Sequence, residues 1–148
     1  MKKPTIIVLA LSAMLLSIPF AQSAEEDGRQ LVTLPENMKT HTLANMRDHL
    51  RTLQEIQSAL SAGNYDEAGK IAEQRLGMDS LEAHKGKHMA PYRPDGMNQL
   101  GWEMHKAASR FALIAQETTV DRNLPRALGA LSEMTQQCVA CHAGYRLK

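Results

Sequence analysis

Apolar residues recur along much of the chain at spacings of three, four and seven, the pattern of one helical face. From about Pro35 to Leu60, Leu43, Met46, Leu50, Leu53 and Leu60 follow it, with Ile56 alongside. Arg47, Asp48, Arg51, Gln54 and Glu55 take the other face. Pro35 suits a helix start, and Ala62-Gly63-Asn64 suits an end. A second helix is expected from Tyr65 to Leu76, with Tyr65, Ala68, Ile71, Ala72 and Leu76 inside. Its small residues would let a neighbouring helix come close. A third is expected from about Asn98 to Glu117, on a stripe of Leu100, Met104, Ala107, Ala108, Phe111, Ile114 and Ala115. A fourth is expected from Leu124 to Gly144, capped by Asp121 or Asn123, with Pro125 in its first turn. Its stripe reads Leu124, Leu128, Leu131, Met134, Cys138, Cys141, His142 and Tyr145.

Between the second and third helices the pattern is broken by Gly77, Gly86, Pro91, Pro94 and Gly96. This reads as a long connection with one helical turn near Ser80 to His84. β-branched and aromatic residues are sparse, while Ala, Leu, Met, Glu and Gln are common, which favours helix over strand. Four amphipathic helices, with short turns on either side of a longer connection, predict an all-α, antiparallel four-helix bundle. Trp102 is expected to pack between helices, and Lys106 and Arg110 to lie on the wet face. Aromatics are few, at 4% of the chain; that scarcity is compatible with a bulky cofactor filling part of the core.

Before the first helix the pattern changes. MKK is a short basic start, TIIVLALSAMLLSIPFA an apolar run, and AQSAEED a small-residue exit into acid. This reads as a signal peptide over residues 1–23, with cleavage after Ser23 or Ala24, leaving one domain over 24–148. An uncleaved anchor is the alternative, but the run is marginal in length for a membrane span. The expectation is an exported, periplasmic protein with no stable membrane insertion after cleavage. Loss of Lys2 and Lys3 leaves 15 basic against 16 acidic residues. That balance gives no support to nucleic-acid binding, which wants a basic surface. An oxidising compartment also makes a lasting free dithiol unexpected.

Yet the chain has two cysteines, both in its last eleven residues, in the run Cys138-Val139-Ala140-Cys141-His142. On a helix the two sulfurs fall one turn apart, and His142 lies four residues beyond Cys138 on the same side. C-x-x-C-H reads as covalent attachment of c-type haem: two thioethers hold one edge of the macrocycle and the imidazole reaches the iron. A redox-active dithiol is an alternative, although such sites sit at helix starts after a strand. A disulfide here would close too small a loop to stabilise much. A zinc site would need further ligands; His84 and His88 are four apart and could be offered.

With the motif at the end of the last of four helices, and Tyr145 and Arg146 just after it, the chain resembles the class II c-type cytochromes. These are the cytochrome c-prime family and its low-spin cytochrome c-556 type relatives. The resemblance covers about residues 35–148, and its specific part is the terminal motif. Class I cytochromes c carry the motif near the start of the mature chain instead. The resemblance implies one haem c per chain, iron ligated by His142, and a residue of the first helix facing the other side. Met46, 17 residues before Gly63 and on the apolar stripe, best matches that position and would raise the iron's potential as a ligand. A core methionine beside five-coordinate iron is the plainer reading, and Met38, His41 and His49 are other candidates. High-spin members carry an arginine shortly before the distal position, where this chain has Thr40 and His41. Arg93, His84 or His88 could approach a propionate, though a solvated loop serves equally.

The implied function is one-electron transfer with transient periplasmic redox partners, and the family includes homodimers as well as monomers. Binding of nitric oxide or carbon monoxide at an open distal site is the competing expectation, and a structural role for the haem a third. No nucleophile–base pair or phosphate loop stands out, so no enzyme activity is expected.

Overall fold

The computed structural model describes residues 27–81 and 86–148. The expected leader, both cleavage positions and most of the turn between Ser80 and His84 lie outside the described residues. The order of elements is β1 (Gln30–Val32), α1 (Glu36–Ser61), α2 (Tyr65–Leu76), a 3-10 turn (Met78–Ser80), α3 (Gly86–Met89), a second 3-10 turn (Ala90–Tyr92), α4 (Asp95–Asp121), α5 (Leu124–Gly144) and β2 (Tyr145–Leu147). The described chain is mostly helical, and the four long helices α1, α2, α4 and α5 are compatible with an all-α bundle.

Local chemistry sets the helix ends. Pro35 stands at the N-cap of α1 in extended backbone, and Glu36 lies in the first turn near the positive end of the helix dipole. At the other end the amide of Asn64 bonds the carbonyl of Ala59 at 2.9 Å, and that of Gly63 bonds Leu60 at 3.0 Å. This paired closure needs a left-handed residue, and Gly63 supplies φ +75°. Asn123 caps α5, its side-chain oxygen accepting from the Arg126 amide at 3.2 Å. α4 is longer than its apolar stripe. Pro94 presets its start, and nothing stops it before Arg122 turns left-handed at φ 55°.

The main core forms where α2 lies against α1 and α4, and α4 against α5. Ile56, Leu60, Ala68, Ala72, Leu76, Ala108, Phe111, Ala115, Leu131 and Met134 are buried there. The small residues of α2 do permit close approach, and the neighbour is α4. A Cβ built on Gly69 would stand 2.8 Å from the Ala112 carbonyl oxygen. Buried Thr52 and Thr118 satisfy their hydroxyls on the carbonyls one turn back, at 2.8 Å each. Arg75 on α2 pairs with Glu55 and, at 2.6 Å, with Asp48 of α1.

Several stripe residues lie elsewhere than the periodicity implies. Leu43 and Leu50 are 39% and 70% exposed. The buried line of α1 runs instead through Thr42, Thr52, Ile56 and Leu60. Twelve-residue α2 is too short to cover the whole of 26-residue α1. Leu128 and Trp102 are exposed as well, so Trp102 does not pack between helices. Lys106 is half-buried and pairs with Glu103 at 2.7 Å, whereas Arg110 is exposed. Tyr145 leaves the helical stripe for β2. β1 and β2 pair in parallel, with Gln30 opposite Tyr145, Leu31 opposite Arg146 and Val32 opposite Leu147. Sparse β-branched residues gave no sign of this small sheet.

Candidate functional site

α5 continues unbroken to Gly144, so Cys138, Cys141 and His142 occupy its last two turns. Both cysteines are half-buried and not joined to each other. Cys138 packs against the main core, with its Sγ 4.0 Å from the Met134 carbonyl oxygen. His142 is exposed. Burial pushes the Cys138 thiol up, and neighbouring Cys141 adds to the shift. Burial also raises Cys141, with Arg93 pulling the other way. The negative end of the α5 dipole disfavours a thiolate here as well. Reactive dithiols need the reverse, a lowered pKa.

Arg93 comes to this place from the connection before α4. Asn98 holds its backbone, donating to the carbonyl of Ala90 at 2.9 Å and to that of Arg93 at 3.4 Å. One guanidinium nitrogen of Arg93 donates to the Thr42 hydroxyl at 3.3 Å. Its Nε is sealed from solvent and has no hydrogen-bond partner among the described residues. Desolvation lowers its pKa, and Cys141 is the group whose charge it feels. Among the described residues no Asp or Glu forms an ion pair with Arg93. A shielded cation without an anion is costly.

The remaining candidates fall around this point. Met46 is half-buried on α1, one turn after fully buried Thr42. Arg93 bonds Thr42 of α1 and its charge is felt by Cys141 of the motif. Met38 is half-buried against a second cluster of Val32, Leu34 and Met89, together with Met97, Tyr145 and Leu147. The His41 ring lies 3.2 Å from the Asn45 amide, and His49 is half-buried. His88 is exposed, and His84 lies outside the described residues. No cluster of three or more His, Cys, Asp or Glu suited to a metal occurs among the described residues.

The sequence offers Arg93 beside His84 and His88 as a group near a propionate, with a solvated loop as the alternative, and gives no sign of Met89 or β1. The orphaned guanidinium has no signature in the sequence, because it depends on which neighbours burial removes. A groove lined by Gly63, Asn64, Tyr65, Asp66, Glu67, Thr119 and Arg122 lies at the α1–α2 and α4–α5 turns. That is the start of α5, roughly 20–25 Å along the helix from the motif. It is open, carries both signs of charge and offers no convergent chemistry. Comparison of the chain with family models, with curated proteins and with solved structures finds no match in any of the three.

Proposed function

We propose that the chain is a periplasmic class II c-type cytochrome, an antiparallel four-helix bundle that carries one electron on a single covalently attached haem c. The observation that carries this reading is the Cys138-Val139-Ala140-Cys141-His142 run on the last turns of a core helix, beside a shielded arginine that pairs with no Asp or Glu among the described residues. The residues fit the group. Cys138 and Cys141 would each add sulfur and hydrogen across a vinyl group, forming a thioether with nothing released. Raised thiol pKa values and a helix C-terminus weigh against a redox dithiol. Arg93 is suited to a propionate, the anion its buried Nε lacks. Half-buried Met97 and Leu100 of α4 and Met46 of α1 would supply apolar walls.

When bound, haem iron supplies a ferric–ferrous couple whose potential is set by axial ligands and burial. His142 would ligate one face. Met46, one turn from the Thr42 that meets Arg93, would ligate the other. Permanent ligands on both faces keep reorganisation small. Partners would be other periplasmic redox proteins in transient contacts, with homodimer formation open to the chain. Thr42, not Met46, is the fully buried residue of this part of α1. That favours the second reading, an open distal site that takes nitric oxide or carbon monoxide.

Intact mass of the exported protein tests attachment: the haem mass is expected, and Cys138→Ala with Cys141→Ala removes it. Absorption spectra separate the two readings. A low-spin ferric spectrum with the weak near-infrared methionine–iron band, lost in Met46→Ala, supports electron transfer. A high-spin spectrum that responds to added carbon monoxide in the ferrous state moves the protein to the gas-binding reading. An exported wild-type chain without haem sinks both.

A further inference from the structure

His142 ends the motif in the last turn of α5, where carbonyl groups lack helical partners. Such ends fray unless something holds them. Here the first described segment of the chain does so. Arg29 reaches the His142 carbonyl oxygen through a guanidinium N–H at 3.4 Å. Asp27 pairs with Arg29 at 2.8 Å and with Arg146 at 3.4 Å. The hydrogen bond from Arg29 holds the exposed Asp27 carboxyl down at about 2. β1 then pairs in parallel with β2 directly behind the motif, and the Lys148 amide donates to the Val32 carbonyl at 3.1 Å.

Two three-residue strands are marginal alone. This pair is anchored by side chains: Val32 and Leu34 are buried with Met89, and Met38, Met97, Tyr145 and Leu147 pack on them. The Tyr145 hydroxyl sits 2.5 Å from where a Cβ on Gly96 would stand. The start of α4 therefore presses on the residue that follows the helix.

We infer that Asp27–Val32 is a clasp that positions His142 by fixing the backbone on its C-terminal side, with Arg29 as the positioning residue. This rests on the haem reading, in which the angle of the His142 imidazole tunes the iron. Fixing the carbonyl and the next residues limits how far the last turn can unwind or rotate. The ring is then presented at one orientation.

The test uses the full-length exported holoprotein with Val32→Asp, which dislodges the strand, and with Arg29→Ala, which spares it. Three measurements are made: intact mass, amide exchange over residues 145–148, and low-spin electron paramagnetic resonance with reduction potential. Both variants are expected to keep covalent haem. Exchange over 145–148 rises about tenfold or more in Val32→Asp, the effect of losing a hydrogen bond or more. The wild type shows one set of g values; both variants broaden or split it and shift the potential, and Arg29→Lys restores most of the wild-type signal. Faster exchange with unchanged g values and potential overturns the positioning role and leaves a simple tie between chain ends. If Val32→Asp fails to fold, Arg29→Ala alone decides, and an unaltered signal there overturns the proposal. A wild type without the haem mass overturns the haem reading itself, separately from the exchange result.

Discussion

Where α2 lies against α4, alanine and glycine bring two backbones together, and Phe111, Ile56 and Met134 are sealed from solvent. Toward the motif the same long helices pack loosely. Across residues 36–51 of α1, 95–103 of α4 and 135–144 of α5, Thr42 is the one fully buried side chain. The dense end closes with side chains alone. The motif end instead holds half-buried cysteines and methionines beside the shielded Arg93 guanidinium, and a shielded cation is a group that a core made for packing alone would avoid. Stability and chemistry thus sit at different ends of shared helices, and each end can be perturbed separately.

The largest effect is expected at the dense end. Phe111→Ala should lose about 3–5 kcal/mol in denaturant unfolding, as for a fully buried aromatic. Leu43→Ala, exposed near the motif, should change stability by less than about 0.5 kcal/mol. Equal losses would erase the contrast between the ends. Gly69→Val comes next, since any Cβ there meets the Ala112 carbonyl. Overpacking of this kind should cost about 1–3 kcal/mol, seen as a lower unfolding midpoint.

Arg93→Leu sharpens the comparison through its sign. Without haem, removing a shielded charge that has no ion-pair partner among the described residues should raise stability by about 1 kcal/mol. On the proposed haem reading, the same change should instead lower the reduction potential by about 40 mV, the one-electron equivalent of about 1 kcal/mol, because the positive charge assigned to a propionate is lost. Loss of stability in the apoprotein would mean that Arg93 already has its partner there.

His105 gives the smallest effect. Its Nδ1 lies 2.8 Å from the Leu76 carbonyl oxygen at the end of α2. Burial lowers its pKa from 6.5, partly offset by bonds to Leu76 and Gly77. The unfolded chain therefore takes up a proton below pH 6.5 that the folded chain resists. Stability is full above that value and falls as the solution becomes more acid. Stability should therefore fall between pH 7 and pH 5.5, and His105→Gln should flatten that fall in pH-dependent unfolding.

The four long helices were legible because apolar spacing and end signals agree, as Pro35, Gly63 and Asn123 illustrate. The Cys-x-x-Cys-His run is legible because its spacing is local, and the structure adds its place at the end of α5. Leu43 and Leu50 misled because periodicity marks an apolar stripe without saying whether a neighbour is long enough to cover it. Arg93 was named among three loop candidates, but its shielded place against Thr42 and the β1–β2 pair could not be read. Each depends on residues far apart in the chain meeting in space, which no local pattern records.

The contact from Arg29 to His142 spans 113 residues, whereas α1 meets α2 and α4 meets α5 across short turns. Closing a loop that long costs more chain entropy than forming any of the neighbouring helix pairs. In kinetic terms the helices are expected to assemble first and the two strands to close last, as the slowest-protecting amides in pulsed exchange. The order leaves an interval in which Cys138 and Cys141 stand on a formed helix while the chain behind them is still open, a natural moment for covalent modification.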